Sequence, residues 1–272
     1  MTLVFGLGRK KCCPDWIFEE IFLATYADFS KDIWARIETT VQEVKKQDPA
    51  PYAAFDADGT LWDTDLGENF FKYKIRNNLV PFAMKDPWRH YRDWKEGGDP
   101  RPAYLWLGQV CAGVPLTKVQ DWAEAAVQEL NPLPIFPAQR KLIEYLLENG
   151  VQVYIVTASI KWAVEPGAGR LGLPREQVLG VETAVVDGLV TTEAAGHMTY
   201  RQGKAEAILK RKAGQRPFLV SGNTKGDLAL MEASTQLRLA VTASHPGEEM
   251  FPSEDELQRE AKLRGWIAHR FR

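Results

Sequence analysis

A chain of 272 residues is long for one compact domain and short for two, so we expect one core domain with a large insertion. The hydrophobic fraction of 45% and the charged fraction of 26% are typical of a soluble globular protein. The net charge of −2 and the lack of any apolar run near the roughly 20 residues of a membrane span predict neither a nucleic-acid partner nor a membrane anchor.

The three cysteines, Cys12, Cys13 and Cys111, have no CxxC spacing. This pattern suits neither a zinc site nor a disulfide framework, and it favours a reducing, cytoplasmic location. The first 14 residues have a weakly apolar start followed by basic residues, which is the reverse of the order in a secretory signal. We therefore interpret them as a tail.

The region before residue 50 is predicted to be a tail followed by helices that pack on the core. Apolar residues recur at nearly helical spacing from Asp15 to Lys46, and Ser30 is a candidate N-cap that divides the stretch into two helices. A proline-containing linker over residues 47–51 ends the helix. The apolar run Tyr52–Phe55 then predicts a buried strand.

A second prediction is a helical insertion over residues 66–132. Its position directly after the first strand places it over the end of that strand, as a cap or lid. Segments 51–65 and 133–272 then form the core, in which strands at 151–156, 217–220 and 237–241 alternate with helices. Residues 178–190 predict a hairpin that turns at Asp187-Gly188, and the chain is expected to end in a helix or arm. The expected fold class is α/β, with a Rossmann-like parallel sheet flanked by helices.

Two acids one residue apart, Asp56 and Asp58, follow the first strand and precede Gly59-Thr60. The carboxyl ends of strands in open α/β sheets are where ligands bind. Because two neighbouring buried carboxylates are unfavourable without a cation or a proton, this turn predicts a metal site or a protonated acid.

Three more polar clusters follow strands or open helices, and parallel strands bring such positions together along one edge of a sheet. They are Thr157/Ser159, Lys204, and Asn223/Asp227. One carboxylate would attack phosphorus, and a second would act as acid and then as base. A hydroxyl and an ammonium would bind the phosphoryl oxygens, and further oxygen ligands would bind Mg²⁺. This set of groups suits phosphoryl transfer.

The four clusters, in this order, resemble motifs one to four of the haloacid dehalogenase (HAD) superfamily of phosphohydrolases. The insertion after the first motif resembles a type-1 cap, and together with the predicted hairpin and Gly203-Lys204 it resembles the phosphoserine phosphatase branch. The resemblance implies a phosphatase that hydrolyses a small phosphorylated metabolite with Mg²⁺ through an aspartyl-phosphate.

The resemblance also assigns roles to residues, as follows. Asp56 matches the nucleophile and Asp58 the acid/base; Thr157, Lys204, Gly59 and Thr60 match phosphate-binding positions; Asp56, Asp58 (through its carbonyl), Asn223 and Asp227 match the metal side. The family usually has Asp where this chain has Asn223, which brings an oxygen ligand but no charge. One alternative is therefore a protein that binds phosphorylated ligands without catalysis. Another is a phosphotransferase that uses the same intermediate, whereas Asp58 argues against halide displacement.

Substrate specificity is expected from the insertion and from residues just after the first motif. In the phosphoserine phosphatase branch that this chain resembles, an acid near this position meets the substrate ammonium and a cap arginine meets the substrate carboxylate. The resemblance implies these roles for Asp65, unless it only caps a helix, and for Arg101, unless it is a solvated loop residue. Trp62 is one of nine tryptophans that would either fill the interface between cap and core or bind a quaternary ammonium or an apolar leaving group. A phosphoamino or phosphoamine compound such as phosphoserine is the expected substrate class. The sequence predicts no oligomeric state.

Overall fold

The computed structural model describes residues 26–272. Its centre is a seven-stranded sheet with the order β4-β3-β2-β1-β5-β6-β7, in which every neighbouring pair is parallel except the β3–β4 hairpin. The strands are β1 (Tyr52–Phe55), β2 (Gln152–Ile160), β3 (Val178–Val186), β4 (Leu189–Ala195), β5 (Leu219–Gly222), β6 (Leu237–Thr242) and β7 (Ile267–Arg270). The predicted α/β fold class with a mostly parallel sheet is confirmed.

Ten α-helices and two short 3₁₀ turns surround this sheet within the described residues. The helices are α1 (Lys31–Gln47), α2 (Leu66–Arg76), α3 (Pro87–Glu96), α4 (Arg101–Gln109), α5 (Leu116–Gln128), α6 (Pro137–Glu148), α7 (Lys161–Gly169), α8 (Gln202–Arg211), α9 (Leu228–Ala233) and α10 (Phe251–Leu263). The 3₁₀ turns are Arg175–Gln177 and Lys225–Asp227. None of these helices has the length and apolar character needed to cross a membrane.

Strand β1 lies in the middle of the sheet, where its four buried residues face apolar clusters on both sides. It pairs in parallel with β2 and with β5, so that Ala54 aligns with Tyr154 on one side and Val220 on the other. After β1, the chain therefore adds β2 on one side of it and, later, β5 on the other side. Such a switch point opens a crevice at the carboxyl ends of the strands, where Asp56 follows β1.

Helix α1 covers one face of the sheet. Ser30 is its N-cap, as predicted, and accepts a hydrogen bond from the Ile33 N–H. Ile37, Val41 and Val44 are buried in the main core cluster. The predicted tail and the first part of the predicted helical stretch, up to residue 25, lie outside the described residues.

The segment between β1 and α6 is largely helical, in agreement with the sequence prediction. Helices α2 to α5 build a second apolar cluster, which includes Phe71, Tyr91 and Leu107, and this cluster continues onto Ile160 and Val181 of β2 and β3. The four helices thus rest on the hairpin side of the sheet. The assignment of residues 66–132 as a separate cap domain stays a prediction.

Two features of the strands differ from the sequence prediction. Strand β2 continues to Ile160 and includes Thr157 and Ser159, which the apolar pattern alone placed after the strand. The chain also ends in strand β7, which pairs in parallel with β6 after the predicted C-terminal helix. This four-residue edge strand was missed because its sequence, Ile-Ala-His-Arg, has no alternating or continuous apolar pattern.

Candidate active site

Asp56 is the first residue after β1, and its side chain is almost completely buried. Its Oδ1 lies 2.5 Å from the Lys204 Nζ, and its Oδ2 accepts a hydrogen bond from the Thr60 hydroxyl at 3.1 Å. Burial and the nearby Asp227 carboxylate raise the pKa of Asp56 to about 7, against the opposing effect of Lys204. Asp56 is therefore a carboxylate whose charge depends on neighbouring cations.

Lys204 is that neighbouring cation. It lies in the first turn of α8, and its Nζ is 2.5 Å from both Asp56 Oδ1 and Asp227 Oδ1. Burial lowers the pKa of Lys204, but the charges of Asp227 and Asp56 outweigh it, so that the pKa lies above the ordinary lysine value. The ammonium is thus held charged beneath the cavity and links two motifs that are distant in sequence.

Asp58 has a different environment from Asp56, although only Ala57 separates the two acids in the chain. Its Oδ1 accepts from the Trp62 indole N–H at 2.8 Å and from the Leu66 N–H at 2.9 Å. Its Oδ2 accepts from the Ser159 hydroxyl at 2.6 Å. Burial raises the pKa of Asp58 against the effect of these three donors. The carboxyl group is therefore fixed in orientation by donors to both of its oxygens.

Thr157 lies on β2 beside these two acids and is buried. Its Oγ1 accepts from the Ser159 N–H at 3.0 Å, which leaves its hydroxyl proton for an acceptor on the cavity side. Ser159, the other hydroxyl of this cluster, donates to Asp58.

Asp227 has hydrogen-bond partners on both of its carboxylate oxygens. Its Oδ2 accepts from the N–H groups of Asn223 and Thr224 at 3.2 and 3.0 Å, and its Oδ1 is bound by Lys204. The side chain is fully buried at the end of a 3₁₀ turn. These contacts shape the loop and hold Lys204, and metal ligation by Asp227 stays a prediction.

Gly59 and Thr60 form the turn after Asp58, and their predicted role in phosphate binding stays a prediction. The Gly59 N–H donates to the Trp62 carbonyl and the Thr60 N–H to the Ala57 carbonyl, so both are used within the turn. Gly59 has a φ of +74°, a left-handed conformation that favours glycine. These residues close the turn that presents Asp56 and Asp58.

Two oxygens converge on the Thr60 hydroxyl, namely Asp56 Oδ2 at 3.1 Å and Asn223 Oδ1 at 3.2 Å. A hydroxyl has one proton, so it satisfies only one of the two acceptors. A cation beside this pair would satisfy both, and hard oxygen donors are the ligands that Mg²⁺ prefers. Within residues 26–272, no group of three or more His, Cys, Asp or Glu side chains is arranged to hold a metal. The donors therefore fit a divalent ion that also keeps water or substrate oxygens as ligands.

A cavity of 260 Å³ opens over these residues, and it is lined by polar groups of the core and by side chains of α2 to α4. Asp65 lies in its wall and also caps α2 by accepting from the Glu68 N–H at 2.7 Å, so the capping interpretation is confirmed and the contact with a substrate ammonium stays a prediction. Burial and the charges of Asp58 and Glu68 raise the pKa of Asp65 to about 8.

The other two predicted substrate residues are not part of this cavity. Arg101 is exposed at the start of α4 and pairs with Asp99 through its Nε and Nη2. Trp62 is fully buried, with its indole N–H on Asp58 and its ring against Gly167. Trp62 is thus placed to orient Asp58, and the loop interpretation of Arg101 fits its exposure.

The sequence did not single out several residues that line the cavity or support it. The cavity also contains side chains that carry no motif signal: Tyr91, Lys95, Tyr104, Tyr200, Glu249 and Met250. Glu254 of α10, which bonds to Asn223, lies 31 residues beyond it in the chain. Helical periodicity placed the tyrosines on helices, but only the packing of those helices shows which faces meet the core.

Comparison with known proteins decides the family. A family model described as haloacid dehalogenase-like hydrolase matches residues 53–232, which is more than half of the chain. The chain belongs to the haloacid dehalogenase-like hydrolase family. The matched range begins in β1 and ends in α9, so it contains all four polar clusters, and the predicted resemblance is confirmed at this level.

Two relatives and one solved structure illustrate the similarity. A phosphorylcholine phosphatase of Pseudomonas aeruginosa is 26% identical over 64% of this chain and 68% of its own length. A phosphoserine phosphatase of Mycobacterium tuberculosis is 29% identical over 57% of this chain, but over only 34% of its own length. The crystal structure of a Bordetella pertussis protein of unknown function shares the fold with a TM-score of 0.65 at 20% identity, covering 81% of this chain and 98% of that one. Both relatives are named as phosphatases, in agreement with the predicted enzyme class.

Proposed function

We propose that this HAD-family hydrolase is a Mg²⁺-dependent phosphatase that cleaves a small phosphomonoester through an aspartyl-phosphate on Asp56. The observation that carries the proposal is the contrast between two acids one residue apart. Asp56 is paired with the Lys204 ammonium, whereas Asp58 is held separately by three hydrogen-bond donors and has a raised pKa. Two carboxyl groups in two environments suit a nucleophile and a general acid.

In this mechanism Asp56 attacks phosphorus while Asp58 gives its proton to the leaving oxygen. Asp58 is then ionised, and it takes a proton from the water that hydrolyses the aspartyl-phosphate. Trp62, Leu66 and Ser159 keep its carboxyl group in one position through both steps. Lys204 and Thr157 line the cavity and are placed to hold phosphoryl oxygens, whose charge grows in the transition state.

The cation would be held by Asp56 and Asn223, whose oxygens converge beside Thr60, and by the carbonyl of Asp58. When bound, Mg²⁺ supplies positive charge to the phosphoryl oxygens and lowers the pKa of nearby acids. Asp56 is then ionised at neutral pH despite its burial. Asp227 contributes indirectly, because it fixes Lys204 and the loop that carries Asn223.

We further propose that α2 to α5 act as the cap that closes over the substrate. Cavity-lining residues come from both parts: Asp56, Thr157 and Lys204 from the core, and Tyr91 and Tyr104 from the helices. Closure of such a lid excludes water from the aspartyl-phosphate until Asp58 is ready to activate one molecule. At 260 Å³ the cavity is slightly smaller than typical ligand sites, which span about 300–1,000 Å³, so it suits a small substrate.

The leaving group that fits the remaining space is a cationic amino alcohol. Five carboxyl side chains and two lysines line the cavity, and one of these lysines, Lys95, is paired with Glu68 at 2.8 Å. Tyr91, Tyr104 and Tyr200 add aromatic faces, which attract alkylammonium groups. A phosphate dianion and Mg²⁺ balance each other. A cation beside Asp65 would lower the raised pKa of that carboxyl group and hold it ionised, so this wall of the cavity favours a positively charged leaving group. The two relatives' names, phosphorylcholine and phosphoserine phosphatase, both fit this class.

The test is a hydrolysis assay with phosphocholine, phosphoethanolamine, phosphoserine and 3,3-dimethylbutyl phosphate, each with Mg²⁺ or with a chelator. The last compound is the uncharged carbon isostere of phosphocholine. We expect Mg²⁺-dependent release of phosphate and a kcat/KM at least tenfold higher for phosphocholine than for its isostere, which corresponds to about 1.4 kcal/mol. Phosphoserine should rank below the two amines, because Arg101 lies outside the cavity.

Two variants separate the parts of the proposal. Asp56→Asn should abolish hydrolysis of every substrate, and wild-type rates in this variant would show that the nucleophile is misassigned. Asp65→Asn should lower kcat/KM for the amines and leave that for the uncharged isostere within about threefold. Equal loss for both kinds of substrate would place Asp65 in a structural role. If the wild-type protein binds phosphate esters without hydrolysing them, the alternative of a non-catalytic protein that binds phosphorylated ligands would be favoured instead.

A further inference from the structure

Asn223 is bound on one side by a buried carboxylate from a distant helix. Its Nδ2 donates to Glu254 Oε1 at 2.9 Å, and its Oδ1 faces Thr60 and Asp56. Glu254 lies in the first turn of α10 and is 2% exposed. No sequence motif marks this residue, and neither the family match, which ends at residue 232, nor the mechanism above includes it.

The second oxygen of Glu254 is occupied as well. Oε2 accepts from the Thr242 hydroxyl, from the Ala243 N–H at 3.3 Å and from the Ser244 N–H at 3.0 Å. Because two of these partners are backbone N–H groups, which only donate, Oε2 acts as an acceptor. The amide group of Asn223 is the donor to Oε1. Glu254 therefore serves as an ionised carboxylate with acceptor roles on both oxygens.

This arrangement fixes the orientation of the Asn223 amide. If the amide rotated by half a turn, its oxygen would face Glu254 Oε1, and two acceptors would meet without a proton. The observed orientation instead directs Oδ1 towards the cation site. Gly59 keeps the amide close, since a Cβ at that position would lie 2.1 Å from Asn223 Nδ2.

We propose that Glu254 is a positioning residue for the metal site, and that Asn223 and Glu254 together take the place of a single metal-binding aspartate. Asn223 supplies the oxygen ligand, while Glu254 supplies the negative charge and holds that oxygen towards the cation. This inference rests on the proposed Mg²⁺ dependence. Outer-shell partners of this kind typically change metal affinity 10- to 100-fold when removed.

The test uses variants that exchange donor and acceptor between the two positions. In Glu254→Gln, the oxygen of the new amide is expected to keep the backbone donors, so its NH₂ group faces the NH₂ group of Asn223. Asn223 then turns and presents a donor to the cation. Mg²⁺ affinity, measured by titration calorimetry without substrate, should fall about 10- to 100-fold.

The double variant Asn223→Asp/Glu254→Gln restores a matched pair. The new amide at position 254 donates to one oxygen of the new carboxylate at position 223, and the other oxygen of that carboxylate faces the cation. We expect the Mg²⁺ affinity of this variant to return to the wild-type value or above. Asn223→Asp alone places two carboxylates in contact and should lower the metal-free melting temperature, which the second substitution should recover. Glu256→Gln, at an exposed glutamate of the same helix that pairs with Lys225, is the matched control and should leave Mg²⁺ affinity unchanged.

A Mg²⁺ affinity of Glu254→Gln within threefold of wild type would overturn the proposal, and so would a double variant that binds as weakly as Glu254→Gln. The second result would mean that Glu254 only supports the fold of α10. If the wild type binds no Mg²⁺, the metal part of the proposed function and this inference both fail. If the affinities follow the expected pattern but no phosphate ester is hydrolysed, the positioning role stands and the proposed activity fails.

Discussion

Replacement of Lys204 by methionine tests whether one buried ammonium holds two motifs together. The Lys204 side chain is 6% exposed, and its two partners, Asp56 and Asp227, are 8% and 0% exposed. Removing one partner of a buried ion pair costs about 3–5 kcal/mol. Because the pKa of Asp56 is already raised to about 7, one carboxyl group takes up a proton readily, which places the expected loss near 3 kcal/mol at neutral pH.

The assay is urea unfolding followed by tryptophan fluorescence. The double variant Lys204→Met/Asp227→Asn removes the uncompensated charge and keeps the acceptor for the Asn223 and Thr224 N–H groups, so about 2 kcal/mol should return. Lys210→Met, at an exposed lysine of the same helix, should change stability by no more than about 0.5 kcal/mol. Neither Lys204 variant should hydrolyse phosphate esters.

The sign of the pH dependence gives a further check. In Lys204→Met the pKa of Asp56 rises further, so protonation relieves the repulsion and the destabilisation shrinks as the pH falls below neutral. A loss of less than about 1 kcal/mol, or a double variant no more stable than the single one, would refute the argument that Lys204 offsets two buried charges.

Three further substitutions test individual contacts. Trp62→Phe removes an indole donor from Asp58, and steady-state kinetics should show kcat lowered about tenfold with KM nearly unchanged. Burial lowers the pKa of Lys74, so the unfolding free energy of the wild type should rise with pH up to the ordinary lysine pKa of 10.5. Lys74→Met lacks this rise. Urea unfolding at several alkaline pH values should show the unfolding free energies of wild type and variant diverging by at most about 1.4 kcal/mol per pH unit. Gly59→Ala places a Cβ against Asn223 at a φ of +74° and should cost about 1–3 kcal/mol of stability while weakening Mg²⁺ binding, as measured by calorimetry. An unchanged kcat in Trp62→Phe would contradict the first expectation. Parallel pH profiles of stability for wild type and Lys74→Met would contradict the second, and an unchanged Mg²⁺ affinity in Gly59→Ala would contradict the third.

The sheet and the meeting of the polar clusters were predictable from local patterns. A buried apolar run followed by Asp56 and Asp58 predicts a strand end, and parallel strands have their carboxyl ends on one edge. The structure does bring Asp56, Thr157, Lys204 and Asn223 to one cavity. Motif spacing carried this information because each motif lies at the carboxyl end of a strand or at the beginning of a helix.

The division of roles within the clusters was not predictable in the same way. Trp62, Thr60 and Asp227 lie within the expected motifs, but each has its polar atoms engaged by other parts of the site. Whether a side-chain oxygen of the site already has a hydrogen-bond partner depends on distances between separate segments, which a sequence pattern does not encode. Arg101 shows the same limit, because its pairing with Asp99 depends on the local turn.

The contribution of α10 is the clearest example of what the pattern omits. Glu254 lies among charged residues on an amphipathic helix, where a glutamate normally faces solvent. Only the packing of α10 against β6 buries it beside Asn223. Likewise, the positions of Tyr91 and Tyr104 in the cavity follow from how helices α2–α5 pack on the hairpin, which depends on contacts far apart in the chain.

Direct detection of the covalent intermediate tests the central claim. Asp58→Asn protein, in which water activation is impaired, is mixed with Mg²⁺ and an aryl phosphate that needs no acid for departure, quenched in acid and digested. The account predicts that mass spectrometry finds one phosphoryl group on the peptide that contains Asp56, and none in Asp56→Asn. Substrate turnover by the wild type with no phosphoryl group on Asp56 in the Asp58→Asn variant, or a phosphoryl group on another residue, would contradict it.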